Sequence, residues 1–206
     1  MKRTVFALVL VWGVAMSASA QDRMPPIPAD RLTDPQRREV AAFEAARMAP
    51  VSGPFVPLLR SPELMNRVRA IGDYLRFGGG LDARLREFVI LITARQWSQQ
   101  YEWYAHHAIA MEAGLSPAVA QAIADGRRPE GMRPDEALLY DFCQELHTRK
   151  SVTDDTYAKA VSAFGEQGVI DVVGLSGYYT MLAMVLNTAR TPLPAGRQPE
   201  LPLFPR

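Results

Sequence analysis

The chain has 206 residues, 48% hydrophobic and 22% charged, with 23 Lys plus Arg against 22 Asp plus Glu and a formal net charge of +1. This is the composition of an ordinary globular protein, and it lacks the clustered positive charge that a nucleic-acid surface needs for counterion release. Nucleic acid is therefore not an expected partner, and the use of 20 Arg but only 3 Lys carries no functional reading by itself.

Lys2 and Arg3 precede an apolar run from Val5 to Met16, and Ala18-Ser19-Ala20 supplies the small-residue pattern of a cleavage site before Gln21. Residues 1–20 thus read as a signal peptide. The run is too short to cross a hydrocarbon core of about 30 Å comfortably, and no Cys follows it to carry a lipid, so no stable membrane anchor is expected. Cleavage near Ala20 predicts a near-neutral periplasmic or secreted protein. Cys143 is the only cysteine, which rules out an intramolecular disulfide even in an oxidising compartment.

Residues 21–33 are polar and Pro-rich and residues 191–206 carry five prolines, so both read as extended or loosely docked arms around a single domain over 34–190. Asp34-Pro35, as N-cap and first-turn proline, opens a helical pattern to about Met48. Ser61-Pro62-Glu63 does the same for a helix ending near Phe77 at Gly78-Gly79-Gly80. That triplet lacks a following Gly-Lys-Ser/Thr and follows no strand, so it reads as a turn rather than a phosphate loop. Asp82 caps a segment to about Trp97 whose Leu85, Phe88, Val89, Ile92 and Ala94 form an apolar helical face.

After a break near Ser98, a helix runs from Gln100 to Ala113 and stops at Gly114, and Ser116-Pro117 opens a short one to Ala124. Pro134 starts a helix through His147, Thr153 caps another to Phe164, and Gly168 to Asn187 is long and apolar. No strand alternation and no repeat period appear. The predicted fold class is all-α, a compact helical bundle.

The three histidines are His106, His107 and His147. Glu102 and His106 stand four apart and share a helix face, whereas His107 is turned away by about 100°. A carboxylate beside an imidazole fixes its tautomer and makes an acid–base pair, although the same spacing also describes a surface ion pair. Glu87 lies in an otherwise apolar helix and needs a partner if buried. Antiparallel packing would bring it to the Glu102/His106 face, and a salt bridge to Arg84 or Arg95 is the plain alternative. Glu87, Glu102 and His106 match no established metal motif, so no metal is expected.

Cys143 reads as a small core residue and His147 as an imidazole suited to a helix C-terminus. Gly177-Tyr178-Tyr179 with Met181 and Met184 reads either as pocket lining or as core.

Arg86-Glu87 in an apolar helix, then Tyr101-Glu102-Trp103 with His106, then Ala113-Gly114-Leu115-Ser116, resembles the carboxymuconolactone decarboxylase family within the alkylhydroperoxidase D-like all-α superfamily. The resemblance runs from about Pro54 to Pro194. Its peroxidase branch uses a Glu, a Cys-x-x-Cys pair and a His. Here Glu87 and His106 fall on the Glu and His positions, but Gln99 and Glu102 occupy the cysteine positions. Thiol peroxidase activity needs a thiolate and a resolving thiol and is not expected.

The decarboxylase branch implies an enzyme without a cofactor, a lyase or isomerase acting on a small carboxylated or lactone-type substrate. His106, Glu102 and Glu87 are then the catalytic candidates, with Tyr101, Trp103, Tyr104 and Arg95 binding substrate. The resemblance also implies a homo-oligomer, a trimer or hexamer. Two other readings stay open: a non-catalytic periplasmic ligand-binding or scaffold protein, and a redox protein using Cys143 between subunits.

Overall fold

A computed structural model describes residues 21–202, and all regular elements among them are helical. The expected signal peptide, residues 1–20, lies outside the described residues. Helix α1 (Asp34–Arg47) is capped by Thr33, whose side chain accepts from Gln36 N while the Gln36 side chain accepts from Thr33 N. The cap therefore falls one residue before the expected Asp34, because Thr33 and Gln36 form a reciprocal capping box and Pro35 sits inside the first turn.

A single turn α2 (Phe55–Leu58) leads to α3 (Pro62–Asp73), and a π-helical turn over Tyr74–Gly78 continues it. The glycine triplet at its end is a turn clamped by a buried carboxylate. Asp171 accepts from Gly80 N at 3.0 Å and from the Tyr74 hydroxyl at 3.2 Å.

Helix α4 (Ala83–Gln96) is capped by the Asp82 side chain, which accepts from Leu85 N at 2.9 Å. It is the centre of the molecule: Phe88 to Ile92 are all buried, and α4 packs against α5 (Gln100–Glu112), α6 (Pro117–Ala124), α7 (Pro134–Arg149) and α8 (Asp154–Ala189). An apolar stripe would be enough for a surface helix, whereas a helix enclosed by four others needs apolar residues on every side.

Helix α8 joins the two expected C-terminal helices through Gly165, whose φ of 68° and ψ of 170° interrupt the helical backbone. Its apolar half is long enough to cross a membrane, but 56% of that stretch is buried within the protein, where it forms one wall of the core.

Both arms are packed down rather than loose. Arg23 N donates to Ala189 O at 2.7 Å. At the other end Leu201 is buried, Leu201 N and Glu200 N both donate to the Gln100 side chain, and Glu200 accepts from Trp103 Nε1 at 3.2 Å. Proline content made these segments extended, and side-chain partners on α5 hold the C-terminal one down.

Candidate functional site

The chain reverses between α4 and α5 at Ser98, which takes a φ of 46°, and Gln99 then caps α5 by accepting from Tyr101 N at 2.6 Å. This reversal lays Glu87 opposite His106. Glu87 is 1% exposed, and its Oε2 lies 2.7 Å from His106 Nδ1. With Nδ1–H donating to the carboxylate, Nε2 keeps the lone pair and is the ring nitrogen left for proton transfer. Arg86 Nε stands 3.7 Å from Glu87 Oε1 and adds a cation beside the pair.

Neither plain alternative for Glu87 is realised. Arg84 is tied to Asp135 at 2.6 Å and to Glu136, and Arg95 bonds Ser98 and the carbonyl of Pro202.

The expected Glu102–His106 pair is replaced by this cross-helix bond. Glu102 is 3% exposed, and neither of its oxygens has a hydrogen-bond partner. Burial alone pushes its carboxyl well above the ordinary range, so it is held as the neutral acid. The carboxyl groups of Glu87 and Glu102 are therefore inequivalent: one is hydrogen-bonded to the imidazole, the other is protonated by desolvation.

Tyr179 presents its ring edge-on to His106, with centroids 5.0 Å apart, and Tyr178 stands edge-on to Tyr179 at 5.2 Å. Burial raises both phenols, Tyr178 to about 12 and Tyr179 well above the usual value, so both remain hydrogen-bond donors at neutral pH. A Cβ on Gly72 would lie 2.2 Å from the Tyr178 hydroxyl oxygen, so this close approach of α3 to α8 requires glycine.

His106, Tyr101, Tyr178 and Tyr179 line a cavity of about 320 Å3 that also takes in Phe43, Phe55, Arg47 and Arg76. Its polar groups converge among aromatic walls, as ligand sites require.

The remaining expected binding residues point elsewhere. Trp103 is buried, donates to Glu200 and stacks on His107 at 5.5 Å, so both rings serve the contact with the C-terminal segment. Tyr104 lies under Arg197 of the same segment, 5.2 Å from its guanidinium carbon, and meets Tyr101 edge-on at 6.3 Å. Arg95 lines a separate cavity of about 190 Å3 with Ile123 and Tyr140. Trp103 is two positions from Tyr101 and so lies on the far side of α5, whereas Tyr104 shares the face of Tyr101 but is covered by Arg197.

Arg47 and Arg76 were not legible as site residues. They come from the end of α1 and the π-helical turn, and only the packing of α1 on α3 and of the π-helical turn on α8 brings them to the cavity that His106 lines. Tyr178 and Tyr179 satisfy both sequence readings at once, being buried in the core and lining the pocket.

Gln99, at the first cysteine position, donates to Asn187 Oδ1 at 2.8 Å and ties α5 to α8. Cys143 is wholly buried, 4.0 Å from Ser176 Oγ, and burial raises its thiol to about 12. A thiol in that state is neither nucleophilic nor accessible to a second subunit, which removes the intersubunit redox reading. His147 is likewise buried, with Nε2 3.3 Å from Thr93 Oγ1, and burial, then Lys150, lowers its pKa. It is a neutral core imidazole rather than a protonated one serving a helix terminus. Among the described residues no group of three His, Cys, Asp or Glu side chains is arranged to hold a metal ion.

Residues 62–132 match the model of the carboxymuconolactone decarboxylase family. Two crystal structures share the fold. An uncharacterized peroxidase-related protein with an alkylhydroperoxidase D core, from Ralstonia eutropha JMP134, is 20% identical with a TM-score of 0.65, over 81% of this chain and 88% of its own. An uncharacterized peroxidase-related protein from Silicibacter sp. TM1040 is 14% identical with a TM-score of 0.67, over 87% of this chain and 96% of its own. No curated protein shows significant sequence similarity.

Proposed function

We propose that the chain, whose residues 62–132 match the carboxymuconolactone decarboxylase family and whose fold is alkylhydroperoxidase D-like, is an acid–base enzyme, a lyase or isomerase acting on a small carboxylated or lactone-type substrate without a cofactor. The observation that carries this reading is the buried Glu87–His106 hydrogen bond of 2.7 Å, opening on an aromatic cavity with no thiol beside it. The family's peroxidase-related members do not extend to this chain's chemistry, because Gln99 and the neutral Glu102 stand at the thiol positions and the one cysteine is buried.

Loss of carbon dioxide from a conjugated carboxylate breaks a carbon–carbon bond and leaves its electron pair in a dienolate. Phenol donors from Tyr101, Tyr178 or Tyr179 stabilise the oxyanion of that dienolate. His106, once it has taken a proton at Nε2, delivers that proton to carbon and regains one from water, while Glu87 accepts from Nδ1–H and holds the ring in place. In an isomerisation the neutral imidazole takes a proton from one carbon and returns it to another.

The enzyme acts outside the cytoplasm after cleavage near Ala20, on the strength of the leader-like residues 1–20, and an N-terminus at Gln21 in the exported protein tests this. It is also a homo-oligomer, supported by the exposed apolar side chains of Ile71, Phe77, Ile170 and Val173.

The experiment is turnover of a panel of carboxylated lactones and unsaturated acids, following substrate loss and carbon dioxide. His106→Ala is expected to lower kcat by roughly 10² to 10⁴, and Cys143→Ala to leave it unchanged. Turnover that survives His106→Ala, or that is abolished by Cys143→Ala in a folded protein, overturns the reading. Ligand binding without turnover across the panel favours a non-catalytic binding protein.

A further inference from the structure

Two arginines line the cavity beside His106, and they differ in how they are held. Arg47 is bonded to Asp73 at 2.6 Å and lies 5.9 Å from the centre of the Phe55 ring, so its charge is partly neutralised and its position is fixed. Arg76 has no carboxylate partner among the described residues. Its Nε, like that of Arg47, is buried without a hydrogen-bond acceptor, and its guanidinium lies 5.2 Å from the centre of the Phe77 ring, so the missing carboxylate is what sets Arg76 apart. An unpaired guanidinium with a buried, unsatisfied N–H is costly unless an acceptor occupies the space beside it.

Arg76 sits in the π-helical turn Tyr74–Gly78, and π turns insert a residue that rephases the side chains around it, a device frequent at functional sites. The Asp171 clamp on Tyr74 and Gly80 brackets this turn on both sides. The charge of Arg76 is felt by both Tyr178 and Tyr179, which places it near the phenol pair next to His106. No acidic residue lines the cavity itself; Asp73 and Glu87 stand behind it, each already bonded to a lining residue, Arg47 and His106, which leaves Arg76 as the lining cation without a carboxylate among the described residues.

We propose that Arg76, flanked by Arg47, is the anion-binding element of this site and selects a small, flat, unsaturated monocarboxylate. The carboxylate accepts from the planar guanidinium of Arg76, a geometry that Arg offers bidentately. The carbon skeleton lies among Phe55, Tyr101 and Tyr179 with its reacting carbon toward His106. A cavity of about 320 Å3 is large enough for a molecule of one ring. Only the chemistry after binding rests on the acid–base reading; the anion site stands without it.

The test is calorimetric titration of the wild-type protein with benzoate and with benzamide, its neutral counterpart of equal shape, repeated on Arg76→Gln, Arg76→Lys and Arg95→Gln. Wild type should bind benzoate at least tenfold more tightly than benzamide. Arg76→Gln should erase that preference, Arg76→Lys should restore part of it, and Arg95→Gln should leave it intact. With a turned-over substrate, Arg76→Gln should act mainly on KM.

Equal binding of the two probes, no benzoate binding at millimolar concentration, or a preference unchanged in Arg76→Gln overturns the assignment. A benzoate preference that depends on Arg76, in a protein that turns over none of the carboxylated panel, retains the anion site and rejects the acid–base reading. Turnover that depends on His106 but is untouched by Arg76→Gln does the reverse.

Discussion

Glu102 has one neighbourhood and two consequences. Its carboxyl is buried without a hydrogen-bond partner, so it stays protonated in the folded protein, whereas the unfolded chain ionises it above about 4.5. Stability from this group is fully present below that pH and falls as pH rises, by about 1.4 kcal/mol per unit, until the folded-state pKa is reached. Glu102→Gln keeps the shape and removes the titration. Denaturant unfolding followed upward from about pH 5 should therefore show the variant gaining on wild type until the raised folded-state pKa is passed. Parallel curves would mean that Glu102 is ionised in the folded state. At this scale the sequence carried Glu87 and His106 well, since an isolated Glu in an apolar helix must find a partner. It paired His106 with Glu102, because i,i+4 spacing is visible along one helix, whereas antiparallel packing had offered Glu87 only to the same face and the bond itself is a relation between helices.

Among the elements, α4 and α8 were legible for opposite reasons. The run Phe88 to Ile92 is apolar on all sides because α4 is surrounded, and only its polar residues break the pattern: Glu87 faces His106, Thr93 faces His147, and Arg84 reaches α7. Helix α8 shows its break through Gly165, whose backbone conformation is essentially reserved for glycine. No atom lies within 4 Å of the position a Cβ would take there, so the demand comes from the backbone and not from packing. Gly165→Ala should cost about 1 to 3 kcal/mol with an unchanged denaturant slope. A loss below a few tenths would show that the two halves of α8 can join in a continuous helix.

For the whole molecule, the question is what covers its exposed apolar side chains. Ile170 and Phe77 are 67% and 72% exposed and flank the Tyr74–Asp171 hydrogen bond between the π-helical turn and α8, with Ile71 on α3 and Val173 on α8 close by in sequence. Large apolar side chains left this exposed mark association. Light scattering should find wild type as a trimer or hexamer and Ile170→Glu as a smaller species with the same helicity. A monomeric wild type at micromolar concentration would reject the proposed oligomer. At the same scale the arms show where composition misleads. Proline content removes helix from residues 191–202 but says nothing of docking, which Leu201 achieves by burial and Glu200 through Trp103.

The sequence by itself determined the long helices and most of their ends, the absence of paired thiols at the Gln99 and Glu102 positions, and the candidacy of Glu87 and His106, while the Thr33 cap, the short α2 and the π-helical turn appeared only in the structure. What was legible comes from short-range spacing, residue chemistry or a local motif. Tertiary structure alone decided that His106 bonds Glu87 and leaves Glu102 protonated. It also decided that Trp103, Tyr104 and Arg95 serve other contacts, and that Arg47 and Arg76 close on the cavity. These are relations between helices far apart in the chain. Their geometry is set by how the core packs around α4, and no periodicity within a single element encodes it.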